Sequence, residues 1–209
     1  MSIRTIVTVQ DANPVLRSVA RPVRRVDAAV RRLMDDMVET MREAPGVGLA
    51  APQVNSGLRV IVVEIPADPD EPEGATTLVA LADPEICWSD PETAEAQEAC
   101  LSIPGLFGDV PRHVKVRVRG LDRRGRRVEF DATELQARVL QHEIDHLDGI
   151  LFPDRVTGID KLYTIRENEH GELVRVPYAP PAPARRAAPS EALTDQRATA
   201  RIRADAPIV

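Results

Sequence analysis

The hexapeptide Gln141-His142-Glu143-Ile144-Asp145-His146 limits how this chain can fold more tightly than any other stretch. Histidines four residues apart fall on one face of an α-helix, one turn from each other, where they can share a metal ion. Glu143 then projects beside such an ion instead of onto it, and can take a proton from a water that the ion acidifies. The pattern demands a helix and points to hydrolysis. The flanking residues predict that helix: Thr133 and Gln136 form a capping-box pair, Leu135, Val139, Leu140, Ile144 and Leu147 recur at helical spacing, and Gly149 supplies a stop. No Lys or Arg stands in the turn between the two histidines, so both can stay neutral, as ligands must.

A chain of 209 residues that is 43% hydrophobic is long enough for one domain with a packed core and a remainder. Its net charge of -6 argues against a general nucleic-acid binder, which needs clustered basic charge. Cys87 and Cys100 are too few for a disulfide framework, and a ligating thiolate suits a reducing compartment, so a cytoplasmic location is expected. Residues 1–9 hold one Arg and only a short apolar run, well below a signal core or a membrane span, so no membrane association is expected either.

Along the chain, residues 3–9 predict a short strand and Asn13-Pro14 a turn. A helix follows from an N-cap at Asp27, with Val30, Leu33, Met34, Met37, Val38 and Met41 on one face, until Pro45 and Gly46 end it. The small residues of Pro45-Gly46-Val47-Gly48-Leu49-Ala50-Ala51-Pro52-Gln53 let backbone approach a ligand or another strand, but the two glycines do not make a phosphate loop. Leu58–Ile65 reads as a buried strand, 66–74 as an exposed loop and Thr77–Ala82 as a further strand, with Cys87 and Trp88 expected to pack. His113–Leu121 alternates and forms a hairpin with Arg127–Phe130. Strands gathered before one long helix predict an α+β fold, a mainly antiparallel sheet packed around the central metal-binding helix, with a further N-terminal helix. Residues 1–168 are expected to form this catalytic domain. Residues 169–209 are expected to be a disordered Pro/Ala-rich tail, after a turn at His170-Gly171 and a short strand at Leu173–Val176.

Two histidines need a third protein ligand if a position is to remain for water. Spacing leaves two candidates, Glu167 downstream and Cys100 upstream, and a thiolate binds borderline metals well.

Gly46-Val47-Gly48-Leu49-Ala50-Ala51-Pro52-Gln53, Glu98-Ala99-Cys100-Leu101-Ser102 and Gln141-His142-Glu143-Ile144-Asp145-His146 resemble, in order and spacing, the three motifs of the peptide deformylase family. Asn13-Pro14-Val15-Leu16-Arg17 and Leu151-Phe152-Pro153-Asp154-Arg155 are similar to that family as well, so the resemblance runs over roughly residues 3–165. It implies removal of the N-formyl group from the initiator methionine of newly made proteins, with release of formate. It also implies that Cys100, His142 and His146 hold one divalent ion, Fe(II) by expectation, with Zn, Ni and Co compatible with the same ligands. Glu143 would be the acid-base residue, and the Gln53 amide and the Leu101 backbone N–H the oxyanion donors. Backbone at Val47, Gly48 and Gly105 would pair with an extended peptide, and Val47, Leu135 and Val139 would line the methionine pocket. The implied partners are N-formyl-methionyl nascent peptides and, for members with a C-terminal docking helix, the ribosome; the tail here does not look like such a helix.

One position departs from the family pattern: Ala99 stands where Gly is usual, and a left-handed backbone there would displace Cys100. The competing expectations are a zinc metallopeptidase that uses Glu167, and a catalytically silent peptide-binding relative.

Overall fold

A computed structural model of the chain describes residues 2–44, 46–66 and 75–179. Its first helix, α1 (Ala28–Glu43), starts where the sequence predicts, with the Asp27 carboxylate accepting from the N–H groups of Ala29 and Val30. The predicted stripe from Val30 to Met41 is buried.

Two antiparallel sheets carry the rest. One has the order β1-β2-β3-β6-β7, with β1 Gly48–Ala50, β2 Val60–Pro66, β3 Thr76–Ser89, β6 Lys115–Leu121 and β7 Arg127–Thr133. The other has the order β4-β5-β8-β9, with β4 Thr93–Cys100, β5 Ile103–His113, β8 Leu162–Glu167 and β9 Leu173–Pro177. The second helix, α2 (Glu134–Leu147), packs on β1, β2 and β7 of the first sheet and on β5 of the second. The fold is α+β, as the sequence predicts.

The continuous apolar run in β2 follows from this layering. Val60 and Val62 join the core beneath α1, while Ile61 and Val63 join the core beneath α2, so both faces of the strand are covered. Each of these side chains contributes about 1.5–3 kcal/mol by leaving water.

Several expectations are corrected. Residues 3–9 form no strand. They run extended and are tied singly, Val7 N–H to Gln53 O at 2.8 Å and Val9 N–H to Ser102 O at 2.9 Å, before a 3-10 turn at Val9–Asp11. Their partners lie in two separate turns, so no ladder can form. The strand predicted at Thr77–Ala82 continues to Ser89, and register shifts around Asp83 and Cys87 turn Cys87 and Trp88 outward, so neither packs in the core. Strands β4 and β5 went unpredicted because Thr93–Cys100 is rich in Ala, Glu and Gln, and Ile103–His113 holds two prolines and two glycines.

Thr133 is the N-cap of α2, but its hydroxyl makes no capping bond. Glu134 sits in the left-handed region at φ 49°, with its N–H bonded to Val114 O, so the sheet and not a capping box controls the entry to the helix. The far end behaves as predicted. Gly149 (φ 72°) is followed by an Ile150 N–H bond to Asp145 O, and a Cβ at Gly149 would lie 2.7 Å from Arg17 O. The β8–β9 hairpin turns at Asn168–Gly171 and crosses the boundary expected at residue 168. The exposed loop expected at 66–74 falls, from residue 67 on, outside the described residues, as does the tail from residue 180.

Candidate active site

Cys100 is the last residue of β4 and pairs with Ile103 across the two-residue turn Leu101-Ser102, which points its side chain at α2. On α2, His142 and His146 present their rings one turn apart, centroids 5.0 Å from each other. Cys100 Sγ lies 3.3 Å from His146 Nε2, and the ligand atoms of all three residues lie within 4.8 Å of one another. His142 donates Nδ1–H to Glu98 Oε2 at 2.9 Å, which directs its Nε2 toward the other two, and that nitrogen is buried without a partner among the described residues. Burial pushes the Cys100 thiol up to about 12 and the His146 pKa well below its ordinary value. A neutral imidazole is ready to ligate, and a thiol this reluctant to ionise alone gives up its proton in exchange for a cation. Two imidazoles and one sulfur, with an orphaned nitrogen among them, fit a single divalent ion of borderline softness.

Glu143 lies alongside. Burial, and then the negative charge of Glu98, raise its pKa well above the usual carboxyl range, and its Oε2 has no partner among the described residues. Gly48 makes the room: a Cβ there would come within 2.9 Å of Glu143 Cδ and closer still to Oε1. The approach that the small-residue loop allows is thus to a side chain of α2. Gln53 is buried, and its Oε1 accepts the Ala50 N–H at 2.8 Å, which turns its Nε2 toward Cys100 Sγ, 3.5 Å away. Leu101 sits half-buried in the turn after Cys100.

The other predicted positions spread outward from there. Val47 and Leu135 are half-buried against the core under α2, and Val139 is fully buried. Leu135 also lines a cavity of about 840 Å³, with Ala94, Ala96, Gln97 and Arg138, two turns along α2 from His142. Gly105 needs to be glycine for its φ of 78°, since the space around it is open.

Sequence reasoning missed the charges behind the histidines. Glu98 is fully buried and binds Arg112 through two bonds, 2.8 and 3.0 Å, and Arg138 at 2.9 Å. Arg112 continues to Asp145 at 2.5 Å, and Asp145 to Arg155 at 2.5 Å. Burial would raise the Glu98 carboxyl, but His142 and Arg112 outweigh it and hold the pKa at about 2. The signal was available, because a residue two before Cys100 on a strand shares its face, and a ligating histidine needs an acceptor for its second nitrogen.

A family model for polypeptide deformylase matches residues 3–162. The chain belongs to the peptide deformylase family. A peptide deformylase of Methylocella silvestris is 46% identical over 186 residues, 86% of this chain and 93% of that one. Among solved structures, the peptide deformylase of Ehrlichia chaffeensis in complex with actinonin matches with a TM-score of 0.70 at 36% identity, covering 77% of this chain and 92% of that one. The Acinetobacter baumannii enzyme with Met-Ala-Ser bound matches at 0.68 and 36%, over 75% and 100%.

Two questions left open by the sequence are answered by position. Glu167 ends β8, exposed and outside the group that Cys100, His142 and His146 form, so a peptidase built on it lacks its third ligand. Ala99 is not among the residues with positive φ, and its side chain is accommodated as ordinary strand. The ground for a silent relative goes with it.

Proposed function

We propose that Cys100, His142 and His146 hold one divalent metal ion, Fe(II) in the cell, and that with Glu143 they hydrolyse the N-formyl group of N-formyl-methionyl nascent peptides. The observation that carries this reading is the convergence of three ligand atoms within 4.8 Å beside a buried carboxyl whose Oε2 has no partner. When bound, the metal supplies Lewis acidity, making a water nucleophilic near neutral pH and polarising the formyl carbonyl. Fe(II) follows from the family; the Cys-His-His donor set also accommodates Zn, Ni and Co.

The residues of the chain do the rest. Glu143 accepts a proton as the water oxygen bonds to the formyl carbon, and returns it to the methionine nitrogen as the C–N bond breaks, leaving formate and a free amine. A carboxyl with a raised pKa is suited to holding that proton between the two steps. The Gln53 Nε2–H and the Leu101 N–H are the donors for the developing oxyanion, and removing one such donor costs about 3–4 kcal/mol in comparable sites. Gln53 is pre-aimed for this task, because the Ala50 N–H fixes which end of its amide faces the site. Backbone at Val47, Gly48 and Gly105 takes the extended peptide as an added strand, with the methionine side chain against Val47, Leu135 and Val139. An acetyl group would add a methyl where Glu143 and Gly48 already meet closely. The expected compartment is the cytoplasm, where nascent chains and the reducing poise needed by a ligating thiolate coincide.

The test is formate release from a formyl-Met tripeptide by enzyme prepared anaerobically with iron, beside its acetyl and free-amine forms. Formate from the formyl peptide alone, lost in Glu143→Ala, is expected. No formate from protein carrying one metal per chain would overturn the reading.

A further inference from the structure

The two proposed oxyanion donors are carried by different layers of the fold. Gln53 sits in the 3-10 turn Ala51–Val54, directly after β1 of the first sheet, whereas Leu101 lies in the turn that joins β4 to β5 in the second. Among the described residues the two sheets share no strand, so no ladder sets the spacing between these turns. Gln53 Nε2 reaches Cys100 Sγ at 3.5 Å, but that is a long contact made through the end of a side chain. An oxyanion hole works only when its donors are already held where the charge appears.

The extended segment before the first helix supplies the missing restraint. Val7 donates its N–H to Gln53 O at 2.8 Å, and Val9 donates to Ser102 O at 2.9 Å, one residue from Leu101. Thr8 between them is extended, at φ -112° and ψ 162°. Alternate N–H groups of an extended chain face one way, about 7 Å apart, so two residues span from one donor's turn to the other's. Both ends of the segment are tied down. Upstream, Ser2 N–H donates to Asp36 Oδ1 at 2.8 Å and Arg4 N–H to Thr40 Oγ1 at 2.9 Å, with the Arg4 guanidinium on Asp36 as well, all on α1. Downstream, Thr8 N–H closes a turn onto Asp11, and Asn13 Nδ2 donates to Asn55 Oδ1 at 3.0 Å, beside the Gln53 turn. Val9 is 45% exposed, so its N–H and not its side chain holds the Ser102 carbonyl. We propose that Val7 and Val9 are positioning residues, whose backbone N–H groups clamp the Gln53 and Leu101 turns at the separation that the oxyanion requires. This rests on the reading of Gln53 and Leu101 as oxyanion donors. In that reading the peptide is held elsewhere, by backbone at Val47, Gly48 and Gly105, so the clamp serves the chemical step and not peptide affinity.

Val9→Pro removes that N–H alone. Val9 opens the 3-10 turn Val9–Asp11, the position where a helix accepts proline, and the extended Thr8 before it has the backbone that proline demands. Metal-loaded wild type, Val9→Pro, Val9→Ala, Gln53→Ala and the Val9→Pro, Gln53→Ala double variant would be assayed on a formyl-Met tripeptide. In Val9→Pro kcat should fall about tenfold, part of the roughly 10²–10³-fold that losing a donor outright costs, while KM holds within about twofold. Val9→Ala, which keeps the N–H, should restore kcat. In the Gln53→Ala background the spacing has lost one of its two ends, so adding Val9→Pro should cost less than about twofold. Hydrogen exchange of the metal-free proteins gives a reading without turnover: amides of residues 51–54 and 101–103 should exchange faster in Val9→Pro than in wild type, and those of α2 at the same rate. An unchanged kcat, unchanged exchange in the two turns, or an equal loss in both backgrounds would overturn the clamp. So would a Val9→Pro protein that melts well below wild type or no longer holds one metal per chain, because the segment would then serve the fold as a whole. Gln53→Ala as fast as wild type would sink the donor reading, and no formate from metal-loaded wild type the proposed function, each taking the clamp with it.

Discussion

The two sides of the His142 ring differ sharply. On the Nδ1 side, Glu98, Arg112, Asp145 and Arg155 form a chain of charge-assisted bonds that Arg138 joins, anchored further by the Ala94 and Val110 carbonyls. On the Nε2 side, that nitrogen and the neighbouring Glu143 Oε2 are equally buried and have no partner among the described residues. Burial is common to both, so burial alone does not explain the difference. Folding settles one side within the chain and leaves the other to be settled by something bound. The paired side holds the ring still, and the unpaired side is where chemistry can happen.

Breaking the paired side should have the largest effect. Glu98→Ala removes the shared carboxylate and leaves Arg112 and Arg138 buried beside an imidazole that has lost its acceptor. Loss of one partner from such a buried set costs about 3–5 kcal/mol, to be read by chemical denaturation of the metal-free protein. Metal affinity should fall about 10–100-fold in parallel, by titration. A stability change under 1 kcal/mol would mean that the network is incidental.

Glu143→Gln, on the unpaired side, should do the opposite. Activity falls by about 10²–10⁴-fold as proton transfer is lost, while stability holds or improves, because a buried carboxyl with an unpartnered oxygen is replaced by a neutral amide. Substantial destabilisation would show that Glu143 serves the fold.

These contrasts explain what was legible in the sequence. The α1 stripe, the α2 stripe, the β6–β7 hairpin and the Gly149 stop were readable because period and punctuation are local properties. The convergence of Cys100, His142 and His146 was readable through the ordered motifs. The β4–β5 hairpin was not, since its strands lack β-branched runs and are held by Glu98 and Arg112 reaching across to α2. Residues 3–9 misled because an apolar, β-branched stretch looks the same whether it meets a strand or two isolated carbonyls. Ala99 could be judged only once its φ was known.

Gly48→Ala would sharpen the comparison from the loop side. Its Cβ would collide with Glu143, so the carboxylate must move and activity should drop by about 10²-fold, the scale expected for a displacement near 1 Å. Because Glu143 has no hydrogen bond at Oε2 to lose, the melting temperature should change far less than for Glu98→Ala. A variant with unchanged kcat/KM would show that the carboxylate can be accommodated elsewhere.

The smallest effect should come from the rim of the paired side. Arg155 is 45% exposed in its side chain, and Asp145 keeps Arg112 as a second partner when Arg155 is gone. Water can replace what an exposed guanidinium supplied, so Arg155→Ala should cost less than about 1 kcal/mol and leave metal affinity unchanged. Arg112→Ala, one link further in, takes a buried partner from Glu98, which keeps Arg138, and from Asp145, which keeps only the half-exposed Arg155, and should cost several times more. Equal losses for the two arginines, measured in the same denaturation series, would mean that the chain of charges acts as one unit out to the surface. A steep gradient would place its effect where the histidine is held.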